Sequence, residues 1–488
     1  MCGSFVRLGA YICGVVETSL LRYCRVVFAI SRLWKWEGEM SRGAFALLGA
    51  ALCALKYNLD LFVARKLFDL PWSFWNYQFD SGLSLENLSQ TNPRFLMVML
   101  VLAAPFVWMG VVLTVKRLRS AGLPVWLAAL FFAPYVNLFF FLILCVIPSS
   151  DQKDLPPLLG VGRIRNMLDR WLPDHPVGSA AMALLPTSLL ALGLSLISTH
   201  LLQLYGLGLF VGLPLFLGLT SVLLYSYHRP RKFASCVLVA LASVALVGAA
   251  MLAVAIEGII CIIMAAPMAL TVSVVGGSLG YFIQHHCWSK AVSTRVCLLL
   301  PIAMPLFISI EHVSQPPKPL FEVKSSVIVD ATPERVWRHV VTFPELPAPT
   351  EMIFRLGVAY PVRAEIQGTG PGAIRYCVFS TGSFVEPIEV WDPPRLLKFG
   401  VTANPAPMQE WTPYREIHPP HLDGFLVSRA GQFRLERLPD GRTLMEGTTW
   451  YQHGLWPAEY WHWWSDAVIH RIHLRVLRHV KSLAEASP

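Results

Sequence analysis

Two patterns divide the chain. From about residue 43 to 313 apolar residues run on with few breaks, and from about 320 they alternate with polar ones. A membrane-crossing helix needs about 20 predominantly apolar residues. Candidate spans lie near 43–64, 95–115, 124–147, 178–201, 206–227, 233–256, 258–283 and 296–313. Pro134 and Asn137 interrupt the third, which predicts a broken or re-entrant segment. Gly and Ala recur in 233–283, as in V-A-L-V-G-A-A and V-V-G-G-S-L-G. Small residues of this kind let membrane helices approach closely.

At residue 314 the texture changes to S-Q-P-P-K-P, a stiff Pro-rich linker. The alternating run V-K-S-S-V-I-V then reads as a strand, and D-A-T-P-E-R-V-W as a helix start. Asp330 or Thr332 can cap that helix, Pro333 suits its first turn, and Glu334 favours its positive end. Val336, Trp337 and Val340 form its apolar stripe. Strand-like segments follow near 362, 373, 384 and 396. G-Q-F-R-L-E-R-L and R-T-L-M-E-G-T-T-W-Y flank P-D-G and predict a hairpin. A helix from Pro457 to about Leu483 closes the chain, with Trp464, Val468, Ile472, Val476 and Val480 on one face. Arg471, Arg475 and Arg478 make a basic stripe beside it.

These patterns divide the chain into a first membrane domain at 40–150, a basic loop at 151–177 and a second membrane domain at 178–313. A linker at 314–321 and a mixed α+β domain at 322–488 complete it. Residues 1–39 are an extension with no small-residue cleavage site, so they do not read as a signal peptide. Met40 opens a second start-like stretch, M-S-R-G-A-F, which leaves open whether the extension belongs to the native chain.

Composition agrees with the membrane reading: 55% of the 488 residues are hydrophobic and 15% charged, where soluble proteins carry about a quarter charged. The net charge of +9 suits Lys and Arg beside anionic lipid. No basic run is interleaved with aromatics, so nucleic acid is not an expected partner. The ten cysteines form no C-x-x-C pair and read as small hydrophobes. Arg and Lys concentrate after the first, third, fifth and seventh spans. By the positive-inside tendency this places the C-terminal domain on the non-cytoplasmic side. Lys116, Arg117 and Arg119, after the second span, and the basic extension oppose that assignment.

Charges inside apolar runs are costly and therefore informative. Lys56 and Asp60 lie four apart, on one helix face, and can pair. Glu257 lies between two apolar runs in A-I-E-G-I-I-C, either at a wet turn or as a buried functional carboxylate.

Residues 116–134, K-R-L-R-S-A-G-L-P-V-W-L-A-A-L-F-F-A-P, resemble a bacterial inner-membrane family of unknown function with an R-R-L-x-D-x-G-x-S-G-W signature. Arg117, Leu118, Gly122 and Trp126 match it, while Ser120 and Pro124 depart from it. The resemblance spans roughly 41–150 and implies a bacterial inner-membrane, multi-pass location without implying an activity.

The segments I-V-D-A-T-P-E-R-V-W, V-W-D-P-P-R-L-L-K-F and L-P-D-G-R-T-L-M-E-G-T, with the last helix, resemble the START-like (SRPBCC) superfamily over about 322–484. That superfamily includes lipid-transfer domains and polyketide cyclases. The resemblance implies a helix-grip fold, an antiparallel sheet around a long C-terminal helix with a cavity between them. Fold alone does not settle function. The strand at 443–453 has two faces, and burying Glu446 unpaired would be costly. The cavity face is therefore expected to carry Met445, Thr449, Tyr451 and His453, met by Trp464 and Val468 from the helix.

The stretch H-P-P-H-L-D-G is expected to form a stiff lip over that cavity, with His418 and His421 as ligand contacts. No dedicated metal signature accompanies these histidines, so neither a metal nor a cofactor is expected. The expected function is binding of a hydrophobic small molecule or lipid beside the membrane, for sensing or transfer. A cyclase- or hydrolase-like enzyme would instead use His418, His421 or His453 with Glu410 or Asp423 as acid-base groups. A transporter with a regulatory ligand-binding domain would use Lys56, Asp60 and Glu257.

Overall fold

The computed structural model describes residues 34–70, 72, 92–133, 136–149, 161–286, 290–314 and 318–486. The extension's first 33 residues, the start of the basic loop and the middle of the linker lie outside them. The chain forms two compact units. Of the described residues, one holds those within Met1–Phe74, Leu85–Met167 and Phe282–Val296, and the other those within Leu168–Tyr281 and Cys297–Pro488.

In the first unit α1 (Arg42–Phe62) starts at Ser41, whose hydroxyl accepts the Ala44 amide at 3.4 Å. Lys56 and Asp60 form an i,i+4 ion pair on this helix, with the Asp60 carboxylate buried. Next come α2 (Pro93–Ser120), α3 (Val136–Val146) and the amphipathic α4 (Val161–Trp171). The segment 124–147 is not one span: Val125–Phe132 winds as a 3-10 helix that ends on extended Ala133, and α3 has only 11 residues. Arg117 is fully buried against this break. Its guanidinium donates to the carbonyls of Leu144 (2.9 Å) and Ile147 and to the Ser120 hydroxyl (2.7 Å). It thereby satisfies carbonyls at the end of α3 that have no helical partner.

The second unit begins its helical part with α5 (Pro176–Leu196), α6 (Leu213–Tyr225), α7 (Phe233–Ala253) and α8 (Ile259–His286). The next helix is α9 (Lys290–Ser314), which belongs to this unit from Cys297 on. Among the described residues seven helices are long and apolar enough to cross a membrane. α6 is buried on nearly every side. Gly218 and Gly276 let α6 and α8 touch backbone to backbone, since a Cβ at Gly276 would strike the Leu215 carbonyl. Glu311 of α9, a charge in an apolar run that the sequence reading passed over, accepts the amides of Leu207 (2.6 Å) and Gly208 (3.0 Å).

The C-terminal part runs β1 (Leu320–Val329), α10 (Pro333–Val341), α11 (Met352–Arg355), β2 (Pro361–Gln367), β3 (Ile374–Phe379) and β4 (Gly382–Asp392). It continues with β5 (Leu396–Gly400), β6 (Glu410–Thr412), β7 (Arg415–Ile417), β8 (Leu426–Arg437) and β9 (Thr443–His453), and closes with α12 (Ala458–Ala486). Seven strands form one antiparallel sheet in the order β1-β9-β8-β5-β4-β3-β2. Thr332 takes the N-cap position of α10, although its side chain makes no capping bond. The P-D-G turn closes β8 onto β9, with Gly441 at φ +86°. The core under α12 joins Val336, Trp337 and Val340 to Leu397, Met445 and Leu477. The buried stripe of α12 is Ile469, Val476, Leu477, Val480 and Ala484, so it drifts around the helix from the i+4 row beginning at Trp464.

Candidate functional site

Between the sheet and α12 lies a cavity of about 140 Å³. Phe384, Phe399, Phe433, Val468, Ile472 and Val476 supply much of its apolar wall. Two polar groups on that wall are buried deeply. Arg375 on β3 is 1% exposed and Glu386 on β4 is 6% exposed, and their side chains form an ion pair. They are direct cross-strand partners in the β3–β4 register. The guanidinium also lies 5.5–5.6 Å from the ring centres of Phe343, Phe399 and Phe433. Burial pushes the Glu386 carboxyl above its ordinary value against the opposing pull of Arg375.

A polar rail runs along the other wall. His473 on α12 places Nε2 2.8 Å from the Thr449 hydroxyl. The Ser325 hydroxyl sits 3.1 Å from His473 Nδ1 and 2.7 Å from His470 Nδ1. Burial lowers His473 to about 4, so its ring is neutral at physiological pH. Sequence reasoning placed none of Arg375, Glu386 and His473 at the cavity. The parity of β3 and β4 held a signal for the first two: Arg375 alternates with Cys377 and Phe379, and Glu386 with Phe384 and Ile388, as inward residues do.

Of the residues expected at the cavity, Thr449 and Val468 line it. Met445, Tyr451 and His453 share the inward face of β9 but lie outside its lining. Met445 is packed into the core. The Tyr451 hydroxyl donates to Asp466 (2.6 Å) and lies 3.0 Å from His462 Nδ1. His453 stacks on Phe321 at 5.0 Å, and its burial lowers it to about 4. Trp464 packs edge-on against Trp463 and is likewise absent from the lining.

His418 and His421 do not form a lip over this cavity. Pro419 is extended (ψ 151°) and Pro420–Leu422 turns as a 3-10 helix. His418 stays exposed and pairs with Asp423 at 3.0 Å. His421 is 7% exposed and faces the helical part of the same unit. There it meets Glu257 on the turn between α7 and α8. Glu257 is at a turn, as one reading had it, and is 5% exposed.

The contacts at this second place are close. Cys261 Sγ lies 2.9 Å from His421 Nε2, and Glu257 Oε2 lies 3.3 Å from His421 Nδ1. The Tyr205 hydroxyl donates to Glu257 Oε1 at 2.7 Å. Glu410 accepts the amides of Cys261 (2.8 Å) and Ile260 (3.3 Å), so it caps α8. Burial raises Glu257 to about 8, with Glu410's charge adding to it and the Tyr205 bond opposing it. Burial lowers His421 to about 4. A carboxylate oxygen, a thiol sulfur and a ring nitrogen all within 4.8 Å are also the donor types a metal takes. Here, however, sulfur and carboxylate approach different nitrogens of one ring, an order that suits proton transfer.

Residues 33–154 match a family described as a protein of unknown function (DUF805). The match covers the K-R-L-R stretch at 116–119, Arg117 included. No curated protein matches the chain. Among solved structures, a truncated norcoclaurine synthase from Thalictrum flavum is 14% identical, with 35% of this chain and 97% of that chain covered and a TM-score of 0.24. A protein from Nitrosospira multiformis is 15% identical, with 33% and 94% covered and a TM-score of 0.21. The Aha1 dimer structure from Colwellia psychrerythraea is 14% identical, with 34% and 97% covered and a TM-score of 0.21.

Proposed function

We propose that this is a multi-pass membrane protein whose C-terminal, START-like part binds a small apolar molecule between its sheet and last helix. The seven apolar helices support the membrane association. The observation that carries the binding reading is the Arg375–Glu386 pair buried on the wall of an otherwise aromatic cavity. A buried ion pair does little for stability that packed apolar residues would not do as well. It does place fixed donors and an acceptor against whatever enters, which is how apolar pockets gain specificity. The volume of about 140 Å³ suits a single ring or short chain carrying one polar group. A full lipid tail would require α12 to move away from the sheet.

The reading is tested by photolabelling the full-length protein in lipid nanodiscs with a single-ring aryl diazirine. Label is expected on peptides from β4, β8 and α12, and Val468→Trp, which fills the cavity, should remove it. Label confined to the apolar helices, or unchanged by Val468→Trp, would overturn the reading.

A further inference from the structure

A second cavity, of about 440 Å³, lies among the helices of the same unit, and no part of the binding reading above uses it. Leu213, Leu217, Val244, Val247, Ile262 and Leu270 are typical of its wall. Tyr205, Glu257, Cys261 and His421 also line it, together with Trp461. The cavity is thus a long-chain-compatible apolar chamber with a thiol, an imidazole and a carboxylate on its wall. The relay runs from Cys261 Sγ through His421 Nε2 (2.9 Å) and Nδ1 to Glu257 Oε2 (3.3 Å), with Tyr205 fixing the far carboxylate oxygen (2.7 Å). This is the nucleophile, base and orienting group that thiol acyl transfer requires, in that order. Among the described residues, Glu257 Oε2 and His421 Nδ1 have no hydrogen-bond partner, so the second step is loose. Relays of this kind are often loose before substrate binds. The Trp461 indole N–H is also buried without a partner among the described residues, and can serve an incoming carbonyl.

We infer that Cys261 is a nucleophile that accepts a fatty acyl group from a lipid ester held in the helical cavity. In the first step Sγ attacks the ester carbonyl carbon and His421 Nε2 takes the thiol proton. The C–S bond forms, the C–O bond breaks, and the same proton goes to the departing alkoxide to give an alcohol. In the second step water attacks the thioester, His421 takes its proton and returns it to sulfur, and a free fatty acid leaves. No oxidant or reductant enters. Glu257 and Tyr205 are positioning residues that hold the imidazole in the tautomer able to accept at Nε2.

The test uses the full-length protein in detergent with p-nitrophenyl palmitate. A hydroxylamine-labile acyl adduct on the Cys261 peptide is expected by mass spectrometry. The adduct should form about 10²–10⁴-fold more slowly in His421→Gln, the range for losing a general base. Tyr205→Phe, which keeps the ring and loses one hydrogen bond, should slow it about tenfold. Cys297→Ser, a thiol on another helix, should leave it unchanged. No adduct on Cys261 in folded wild-type protein would overturn the inference, as would equal rates in wild type, Tyr205→Phe and a folded His421→Gln. One equivalent of zinc, lost on Cys261→Ser, would also overturn it by making the cluster a metal site.

Discussion

Removing one partner of the Arg375–Glu386 pair should give very different results depending on which partner is removed. Arg375→Met leaves a carboxyl in a cavity wall that already pushes its proton affinity up. That carboxyl escapes by taking a proton. At pH 7 the cost is that of protonating a group whose unfolded value is about 4.3, or about 3.7 kcal/mol. At pH 5 the same cost is only about 1 kcal/mol. Stability of this variant therefore falls as pH rises from 5 to 7. Glu386→Leu leaves a guanidinium that cannot shed its charge, among three phenyl rings and the Val341 carbonyl. Its cost should be the full 3–5 kcal/mol of a broken buried pair and nearly the same at both pH values. The double variant Arg375→Met/Glu386→Leu should recover most of the loss. Cys377, buried beside the pair on β3, provides the assay. Its alkylation rate, read peptide by peptide by mass spectrometry on the full-length protein, reports the opening free energy of the sheet. Equal losses for the two single variants at both pH values, or a double variant worse than either, would refute the buried-pair reasoning.

Gly276→Leu should separate α6 from α8 and cost about 1–3 kcal/mol or more by overpacking, seen as a lower thermal midpoint in detergent; an unchanged midpoint would contradict the backbone contact. His473 is held near 4 in the fold against about 6.5 unfolded, so its contribution is intact above 6.5 and is lost as pH falls towards 4. His473→Gln should flatten part of the acid limb of Cys377 protection, leaving the shares that His453 and His421 contribute in the same window. If the Cys261 relay operates, acylation should rise with pH through about 8 as Glu257 ionises among Tyr205, His421, Cys261 and Glu410; Glu257→Gln should abolish that limb, and a limb that survives would remove Glu257 from the relay.

Features carried by local pattern were legible in the sequence. The parity of β9 put Met445, Tyr451 and His453 on the buried face because Glu446 could not go there. The i,i+4 spacing of Lys56 and Asp60 gave their pair, and P-D-G gave the hairpin turn. Features that depend on residues far apart in the chain were not legible. Glu257 and His421 were each singled out, yet no periodicity links positions 164 residues apart. Cys261 read as one more apolar residue in I-I-C-I-I until the helix start at Ile259 turned it towards the ring. His418 and His421 looked equivalent because proline stiffness fixes the backbone without saying which way each ring points.

The most direct test of the binding account is native mass spectrometry of the full-length protein released from nanodiscs, comparing wild type with Val468→Trp. The account predicts a small apolar molecule retained by wild type at one per chain and missing from Val468→Trp. A molecule retained equally by both, or a wild-type cavity that holds none under conditions that keep the fold, would contradict it.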